Sequence, residues 1–480
     1  MDRKSKKRAA KKSEVDRLSS LPECLLHHIL SFLEMKDVIL AGLSSRRLRE
    51  ISTSVPNLHF DFCKSLCEED FVTFVYQTIV LSSAPKIHKF QLRSPCDSDY
   101  VPHIDAWIDF AIRKGVRELD LFFVMKHGND PYKLPTWLLR CETLVSLNLK
   151  NCVFTICNFT MFSNLTSFHL SSKDIRDGLV ENLLKECPLL EDLSIEGYFL
   201  CPLLKIRSSL SSSSSTSLRL KRLRIEGGHN ESIEIEAPNL QFLKIRSGNV
   251  GRCSFGDMVF LREAYIDVSY PPGSTSEFIS ILESSLQNLR HASVLKLSST
   301  CLQVMPIPTF EDPHSYFFKT KHLILRTRVQ KYEIPGIANL LWSSPDLENL
   351  VIDLVPSNCI CDKECNNKYD FDEREYWESL TATFQCLVHQ LKTIKITGFM
   401  GGDSLDPGIK GSSFHVKDEQ IKLVKFLLKN AMVLKKMTVH VSRPKFVREI
   451  QWLEMMLRVT QKLLAFPRAS SHAEVLFQNE

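Results

Sequence analysis

The sequence predicts a mixed α/β protein in which a small helical head precedes a long stack of short, strand-containing repeats. Twelve apolar segments recur in one register from Leu119–Leu121 to Met437–Val439, and most follow the pattern L-x-x-Φ-x-Φ, in which Φ is apolar. Because successive side chains of a strand point to opposite faces, each segment places its apolar residues on one face. A unit this short cannot bury that face alone, so we expect the repeats to stack as a right-handed solenoid with its strands on the concave side.

The spacing of these segments supports the same architecture. The fourth positions of the segments are occupied by Leu119, Leu147, Phe168, Leu193, Leu223, Leu243, Ala264, Leu295, Leu323, Leu350, Ile394 and Met437. Most gaps between neighbours lie in or near the roughly 20–29 residues of a leucine-rich unit. The last two gaps are longer and predict insertions, at residues 356–380 and 399–420. A serine run at 208–217 predicts a surface loop between two repeats.

Residues 15–55 predict a separate helical unit. Ser19 or Ser20 is placed to cap a first helix that has Pro22 near its first turn. The apolar residues of this helix recur every three or four positions, as in an amphipathic helix, at Leu25, Leu26, Ile29, Leu30 and Leu33. Met35–Leu40 and Ser44–Ile51 predict two more short helices. So many leucines in so short a segment imply that some of them are covered by a partner or by the following domain.

The rest of the chain divides around the repeats. Residues 56–115 carry Phe71, Phe74, Val75 and Ile79 at helical spacing, and we interpret them as a helical linker and N-terminal cap. Repeats are expected at 116–355, and C-terminal repeats with a cap at 356–480. Residues 1–14 predict a disordered basic tail. Its run KKRAAKK is either a nuclear import signal or a solubilising tail.

Composition restricts the compartment and the partners. The formal net charge of the 480 residues is +5, but the first twelve carry seven basic residues against Asp2, so the remainder is nearly neutral. This balance does not favour a nucleic-acid-binding surface. The sequence shows neither a signal-peptide pattern nor an apolar run long enough to span a membrane, and its 15 cysteines are scattered among apolar residues. We therefore expect reduced thiols, a nuclear and/or cytoplasmic location, and neither nucleic-acid nor membrane partners.

Two parts of the chain resemble known modules. Leu21-Pro22, Ile29-Leu30, Phe32-Leu33, Asp37-Val38 and the segment Ser45-Arg46-Arg47 with Arg49 and Ile51 form a pattern that resembles an F-box, although the family usually has Trp where this chain has Leu48. The segments HQLKTIKITGFMG, KFLLKNAMVLKKMTV and AFPRASSHAEVLF are similar to the FBD module of plant F-box proteins with leucine-rich repeats. We expect the FPRAS segment, 466–470, to pack as a terminal cap.

This resemblance implies a three-helix F-box, then a leucine-rich-repeat solenoid with a parallel β-sheet horseshoe, then an FBD-type C-terminal region. It further implies a non-catalytic substrate-recognition subunit of a cullin-based, SCF-type ubiquitin ligase. The F-box would bind a Skp-family adaptor, and through it the cullin, while the repeats would hold an unknown protein substrate. An alternative is a scaffold or sequestering protein without a degradative role.

The residues expected to contact the adaptor are Leu21, Pro22, Leu25, Ile29, Leu30, Leu33 and Leu48. Half of such residues could instead close the core of the helical head itself. We expect both roles, with Pro22 setting the entry angle of the chain and Leu25 or Leu33 packing inward.

No cofactor or catalytic centre is predicted. Cys359, Cys361 and Cys365 lie close together, but a zinc site usually needs a second pair of ligands, for which Cys386 or His389 would have to fold back. The acidic residues Asp370, Asp372, Glu373 and Glu375 indicate a solvated surface. The sequence lacks G-x-S-x-G, P-loop, G-x-G-x-x-G and H-E-x-x-H motifs. Residues near strand ends, either binding anchors or ordinary surface residues, are Tyr198, Phe199, Arg224, Arg246 and Tyr270.

Overall fold

A computed structural model describes most of the chain and divides it into two compact units, residues 1–172 (the first unit) and 173–480 (the second unit). The described residues are 18, 20–64, 68–125, 130–153, 159–200, 203–207, 219–227, 232–248, 250, 252–269, 276–305, 317–355, 375–380, 383–399, 418–441 and 449–479. The predicted basic tail, the serine run and the cysteines at 359–365 lie outside them, as do Tyr270, Asp370, Asp372 and Glu373. The nuclear and/or cytoplasmic location stays a prediction.

The first unit begins with three short helices and continues with alternating strands and helices. Its elements are α1 (Glu23–Leu30), α2 (Met35–Gly42), α3 (Arg46–Thr53), β1 (Asn57–Asp61), α4 (Glu68–Leu81), β2 (Lys89–Pro95), α5 (Val101–Arg113), β3 (Glu118–Val124), β4 (Tyr132–Lys133), β5 (Ser146–Lys150), β6 (Cys152–Val153) and β7 (Ser167–Ile175). Strands β1, β2, β3, β5 and β7 are neighbours in this order, and they pair in parallel. β4 and β6 form a separate parallel pair.

The second unit repeats the alternation of strands with helices or second strands. Its elements are α6 (Leu179–Glu186), β8 (Asp192–Phe199), β9 (Leu203–Arg207), β10 (Arg222–Gly227), β11 (Ser232–Glu236), β12 (Phe242–Ser247), β13 (Arg252–Phe255), β14 (Glu263–Val268), α7 (Ser276–Gln287), β15 (Val294–Ser298), α8 (Ser299–Val304), β16 (His322–Thr327), α9 (Ile334–Ser343), β17 (Asn349–Leu354), α10 (Tyr376–Ser379), α11 (Gln385–His389), β18 (Thr393–Phe399), α12 (Asp418–Asn430), β19 (Lys436–Val441), α13 (Glu449–Leu464) and β20 (Glu474–Asn479). A parallel sheet runs from β8 through β10, β12 and β14 to β20.

The strand register predicted from the sequence is confirmed within each unit. In the second unit Leu193 pairs with Leu223, Leu223 with Leu243 and Leu243 with Ala264, and the same register continues to Met437. These side chains are almost completely buried. Because a slip of one residue would turn every apolar side chain to the other face, burial of this row holds the register.

The repeat pattern starts earlier and ends later than the sequence analysis expected. Residues 56–115, interpreted there as helical, also contain β1 and β2, whose Leu58 and Phe90 continue the buried row to Leu119. At the other end, the ending that follows the FPRAS segment forms β20, which pairs Val475 with Met437. The FPRAS segment itself lies against the preceding repeat, since the Ser470 hydroxyl donates to the Leu434 carbonyl at 2.7 Å.

Three repeats of the second unit use a strand where others use a helix. β9, β11 and β13 form a separate parallel sheet, whereas α7, α8 and α9 occupy the corresponding part of later repeats. A strand advances about 3.3 Å per residue and a helix about 1.5 Å, so a returning strand needs fewer residues to cover the same distance. This explains why the repeats around β10–β14 are among the shortest in the chain.

The turn between β16 and α9 depends on one buried carboxylate. Glu333 is fully buried, and its Oε2 accepts hydrogen bonds from the Thr327 hydroxyl at 2.9 Å and from the backbone amides of Arg328 at 3.1 Å and Gln330 at 2.9 Å. Its Oε1 accepts a short hydrogen bond from the Ser299 hydroxyl. Since a buried charge is tolerated only when hydrogen bonds replace its water, this set of donors stabilises the turn around the carboxylate.

We predict that Glu333→Gln loosens this turn. The amide NH₂ cannot accept, so some of the four donors lose their partner, at a cost of about 1.5–3 kcal/mol. Hydrogen exchange of the Arg328 and Gln330 amides should therefore accelerate about tenfold or more. Glu181→Gln, on the exposed side of α6, is the matched control and should leave these rates unchanged. Equal rates in Glu333→Gln and the wild type would contradict the assignment.

Candidate protein-binding surface

Helix α1 carries apolar side chains on two sides. Leu26 and Leu30, four residues apart, are buried. Leu25 and Ile29 lie on a second side of the helix, and Phe32 follows two residues after its end; these three residues, which we call the outward stripe, are 47%, 40% and 76% exposed. The helix therefore packs on its neighbours with Leu26 and Leu30, while the outward stripe is exposed to solvent.

Helix α2 is divided in the same way. Met35, Val38 and Gly42 are buried, and a Cβ on Gly42 would lie only 2.7 Å from the Ser52 hydroxyl oxygen of α3. This close approach needs the glycine. The outward side of α2 and the residues beside it expose Ile39, Leu40 and Leu43.

The chain before α1 is held by α3. Pro22 has the extended conformation (φ −54°, ψ 146°), and its carbonyl accepts from the amides of Leu25 and Leu26, so α1 begins one residue later, at Glu23. The Arg47 guanidinium donates to the Leu21 carbonyl at 2.8 Å. Ser19, one of the two expected caps, lies outside the described residues. The N-cap position of α1 is occupied by Pro22 and not by Ser20, whereas Ser45 caps α3 by accepting from the Leu48 amide at 3.1 Å.

The structure separates the expected adaptor residues into two groups. Pro22, Leu25 and Ile29 are exposed, and Leu21 and Leu33 are half-buried. Leu30 and Leu48 are instead buried in the head, at 4% and 2% exposure, so their side chains lie away from the open surface. Leu25 or Leu33 was expected to pack inward. Leu25 is exposed and its neighbour Leu26 takes the inward position, whereas Leu33 is half-buried.

Four outward apolar residues were absent from the expected set, namely Phe32, Ile39, Leu40 and Leu43. Helical periodicity did not distinguish them because both sides of α1 and α2 are apolar. A signal was available in the density of apolar residues, which exceeds what one side of a short helix can bury. Together with Leu18, Leu25 and Ile29, these residues are the exposed large apolar side chains of the head.

Among the described residues there is no group of three or more His, Cys, Asp or Glu side chains placed to hold a metal ion. Burial raises the pKa of the Cys152, Cys187, Cys301 and Cys386 thiols to about 12, which keeps them protonated and unreactive. Glu375 is exposed to solvent. No described helix is both long and apolar enough to cross a membrane.

The expected anchors near strand ends differ in their surroundings. Tyr198 is exposed, whereas Phe199 is buried. Arg224 donates to Asp192 at 2.9 Å and lies over the Phe242 ring at 4.7 Å from its centroid. Arg246 is largely exposed, with its Nε 3.9 Å from an Asp267 oxygen. Arg224 and Arg246 thus lie on the solvent-facing side of the second unit's sheet.

The structure combines a helical head that exposes apolar residues with parallel strand repeats, an architecture typical of proteins that bind other proteins. The F-box domain model matches residues 18–60, and the leucine-rich-repeat model described as "At1g61320/AtMIF1, LRR domain" matches residues 82–465. Because the second match covers most of the chain, the chain belongs to this leucine-rich-repeat family, with an F-box at its N-terminal side.

Relatives from Arabidopsis thaliana share both parts. The putative F-box/LRR-repeat protein At3g18150 is 29% identical over 353 residues, which cover 71% of this chain and 72% of the relative. The FBD-associated F-box protein At5g56370 is 28% identical over 471 residues, which cover 96% of this chain and 100% of the relative. F-box/LRR-repeat protein 13 is 25% identical over 489 residues, or 99% of each chain. The chain is therefore similar to F-box proteins along nearly its whole length.

The inward and outward groups should respond differently to truncation. We predict that Leu48→Ala destabilises the head by about 2–5 kcal/mol, because it leaves a cavity in the core. Phe32→Ala should change stability by no more than about 0.5 kcal/mol, because the ring is already in water. Hydrogen exchange of the α1–α3 amides in the full chain measures both. If Phe32→Ala opened the head as much as Leu48→Ala, Phe32 would belong to the core.

Proposed function

We propose that this protein is a substrate receptor of an SCF-type, cullin-based ubiquitin ligase. The head binds a Skp-family adaptor, and the repeats bind the target protein. The observation that supports this proposal best is the concentration of exposed apolar side chains in the head. Seven of the 21 large apolar side chains found exposed in the described residues lie between Leu18 and Leu43. Such a concentration is typical of a surface that a partner covers.

The adaptor contact draws on the outward stripe of α1 and the outward side of α2. Burying a Leu, Ile or Phe side chain contributes about 1.5–3 kcal/mol when it is moved fully from water, and these residues are already partly shielded. Leu25, Ile29 and Phe32 together are sufficient for a central hydrophobic contact, with Leu21 and Pro22 at its edge. Helices laid against partner helices in this way form a common recognition mode.

The receptor acts by proximity and not by chemistry of its own. A target held by the repeats is placed near a ubiquitin-charged enzyme that other subunits of the ligase supply. Holding two reactants together converts their encounter into an effectively intramolecular step, which is the source of the rate gain. Proteins of this family are typically non-enzymatic, which accords with this role.

We predict that charged substitutions on the outward stripe abolish adaptor binding. Leu25→Asp combined with Phe32→Asp should weaken binding of a purified Skp-family adaptor at least about 100-fold, or about 2.7 kcal/mol, because two buried apolar contacts would become buried charges. Leu21→Ala combined with Pro22→Ala should weaken it about tenfold. Isothermal titration calorimetry on the full chain measures both affinities.

Leu81→Asp is the matched control, because Leu81 lies in the same unit and is similarly exposed, on α4. It should leave adaptor affinity within about twofold of the wild type. Undiminished binding in both double variants would defeat the assigned contact.

The alternative of a scaffold or sequestering protein makes a different prediction for targets. If the protein is a receptor, affinity purification under proteasome inhibition should recover proteins whose abundance and ubiquitination depend on an intact outward stripe. The Leu25→Asp, Phe32→Asp variant should retain these targets but leave them unmodified. Targets that are bound equally by both forms and never ubiquitinated would identify a scaffold.

A further inference from the structure

The solvent-facing side of the second unit's sheet contains a groove across β12, β14, β15, β16 and β17. Residues that alternate with the buried row face this side, so Lys244 pairs with Tyr265 and Tyr265 with Lys296 on adjacent strands. Two residues further along, Arg246 pairs with Asp267, and Arg326 with Asp353. These two rows line a groove of about 270 Å³.

The groove has a surplus of positive charge. Its lining contains four basic residues, Lys244, Arg246, Lys296 and Arg326, but only two acidic ones, Asp267 and Asp353. Lys244 also donates to Glu226 at 2.5 Å, and with this third carboxylate the net charge is +1. Asp267 lies beside two guanidinium groups, since Arg326 Nη1 is 2.7 Å and Arg246 Nε is 3.9 Å from the same carboxylate oxygen, Oδ2. One carboxylate cannot neutralise both.

Lys296 in the middle of the groove adds an uncompensated charge. Within the part of the chain that the structure describes, no carboxylate lies within 4.0 Å of its ammonium. The residues opposite it on the neighbouring strands are Tyr265 and Ile324, neither of which is charged at neutral pH. A ligand carboxylate at this position would contact Lys296 and lie near Arg326.

Aromatic side chains lie beside the basic ones. The rings of Phe242 and Tyr265 contact each other with centroids 5.5 Å apart, and the Arg224 guanidinium lies over the Phe242 ring, 4.7 Å from its centroid. Aromatic rings next to Arg and Lys are typical of the centres of interfaces, where the rings contribute apolar contact area and the cations form directional polar contacts.

We propose that this groove binds an acidic, extended peptide segment of the target protein. The volume is below the range of about 300–1,000 Å³ typical of small-molecule pockets, so the groove accepts a few side chains and not a whole cofactor. The lining residues come from five strands, which span about 19 Å, the length of about six residues of extended chain. The role of this segment as a recognition signal for ubiquitination rests on the function proposed above, whereas its binding to the groove does not.

Fluorescence anisotropy on the full chain tests the proposal. The probe is a fluorescein-labelled peptide of six residues in which Asp and Glu flank one central Phe. Its affinity should be at least about tenfold higher than that of the same peptide with Asn and Gln in place of the acids, and it should fall when about 1 M salt shortens the screening length to about 3 Å. Equal affinity for the acidic and amide peptides would overturn the proposal.

Variants locate the binding. Lys296→Glu combined with Arg246→Glu should lower the affinity for the acidic peptide at least about tenfold. Lys185→Glu reverses a charge on the exposed side of α6 and should change this affinity less than about twofold, since a distant charge is screened. If the double Glu variant fails to fold, Lys296→Gln with Arg246→Gln must still weaken binding. Unchanged affinity in the folded variants would refute the groove as the site.

Two further measurements separate this proposal from other outcomes. Tighter binding of a single-stranded oligonucleotide than of the acidic peptide would also overturn it, because the groove would then serve nucleic acid. Titration of the Lys296→Glu, Arg246→Glu variant with the Skp-family adaptor should give the wild-type affinity. In the wild-type protein, failure to bind the peptide together with intact adaptor binding would reject only the groove. Binding of the peptide without binding of the adaptor would reject only the adaptor contact.

Discussion

Parallel pairing of strands in one fixed register is the constraint on which the other features of this protein depend. No repeat has enough apolar surface to close on itself, so residues such as Leu223 and Leu243 are buried only because each neighbouring strand covers them. The same pairing places the alternate residues on the other face. Lys244, Tyr265 and Lys296 therefore form a row because the leucines form one, and the groove is a geometric consequence of the core.

The head follows a different principle, since its core uses only part of its apolar residues. Leu26, Leu30 and Leu48 close the small core, and Gly42 allows α2 to approach Ser52 closely. The outward residues of α1 and α2 contribute little to this core, because apolar surface stabilises a structure only when it leaves water. A surface of this kind also promotes aggregation of the free protein. Its presence is best explained by a partner that buries it.

The sequence predicted the register of the repeats because alternation is a strong local signal, and it failed where that signal was short or shared. β1 and β2 were missed because their apolar residues, around Leu58 and Phe90, stand between helical segments. The strands β9, β11 and β13 were missed although LLKIR and SIEIE alternate as clearly as the other strands, because the twelve recurring segments predicted only one strand for each repeat. In the head, periodicity identified α1 but could not decide between Leu25 and Leu26, since adjacent leucines satisfy two faces at once.

The charged residues on the solvent-facing side of the second unit's sheet contribute little to stability. Exposed ion pairs such as that of Arg326 with Asp267 contribute little to folding, about 0–1 kcal/mol, and two guanidinium groups around one carboxylate repel each other. An arrangement selected for stability would balance Asp267 with one cation and give Lys296 a partner. An acidic ligand of the kind proposed above would supply Lys296 with a carboxylate partner, which the groove lining does not provide. Packing does not restrict these outward positions, so their charges can differ from those that favour folding alone.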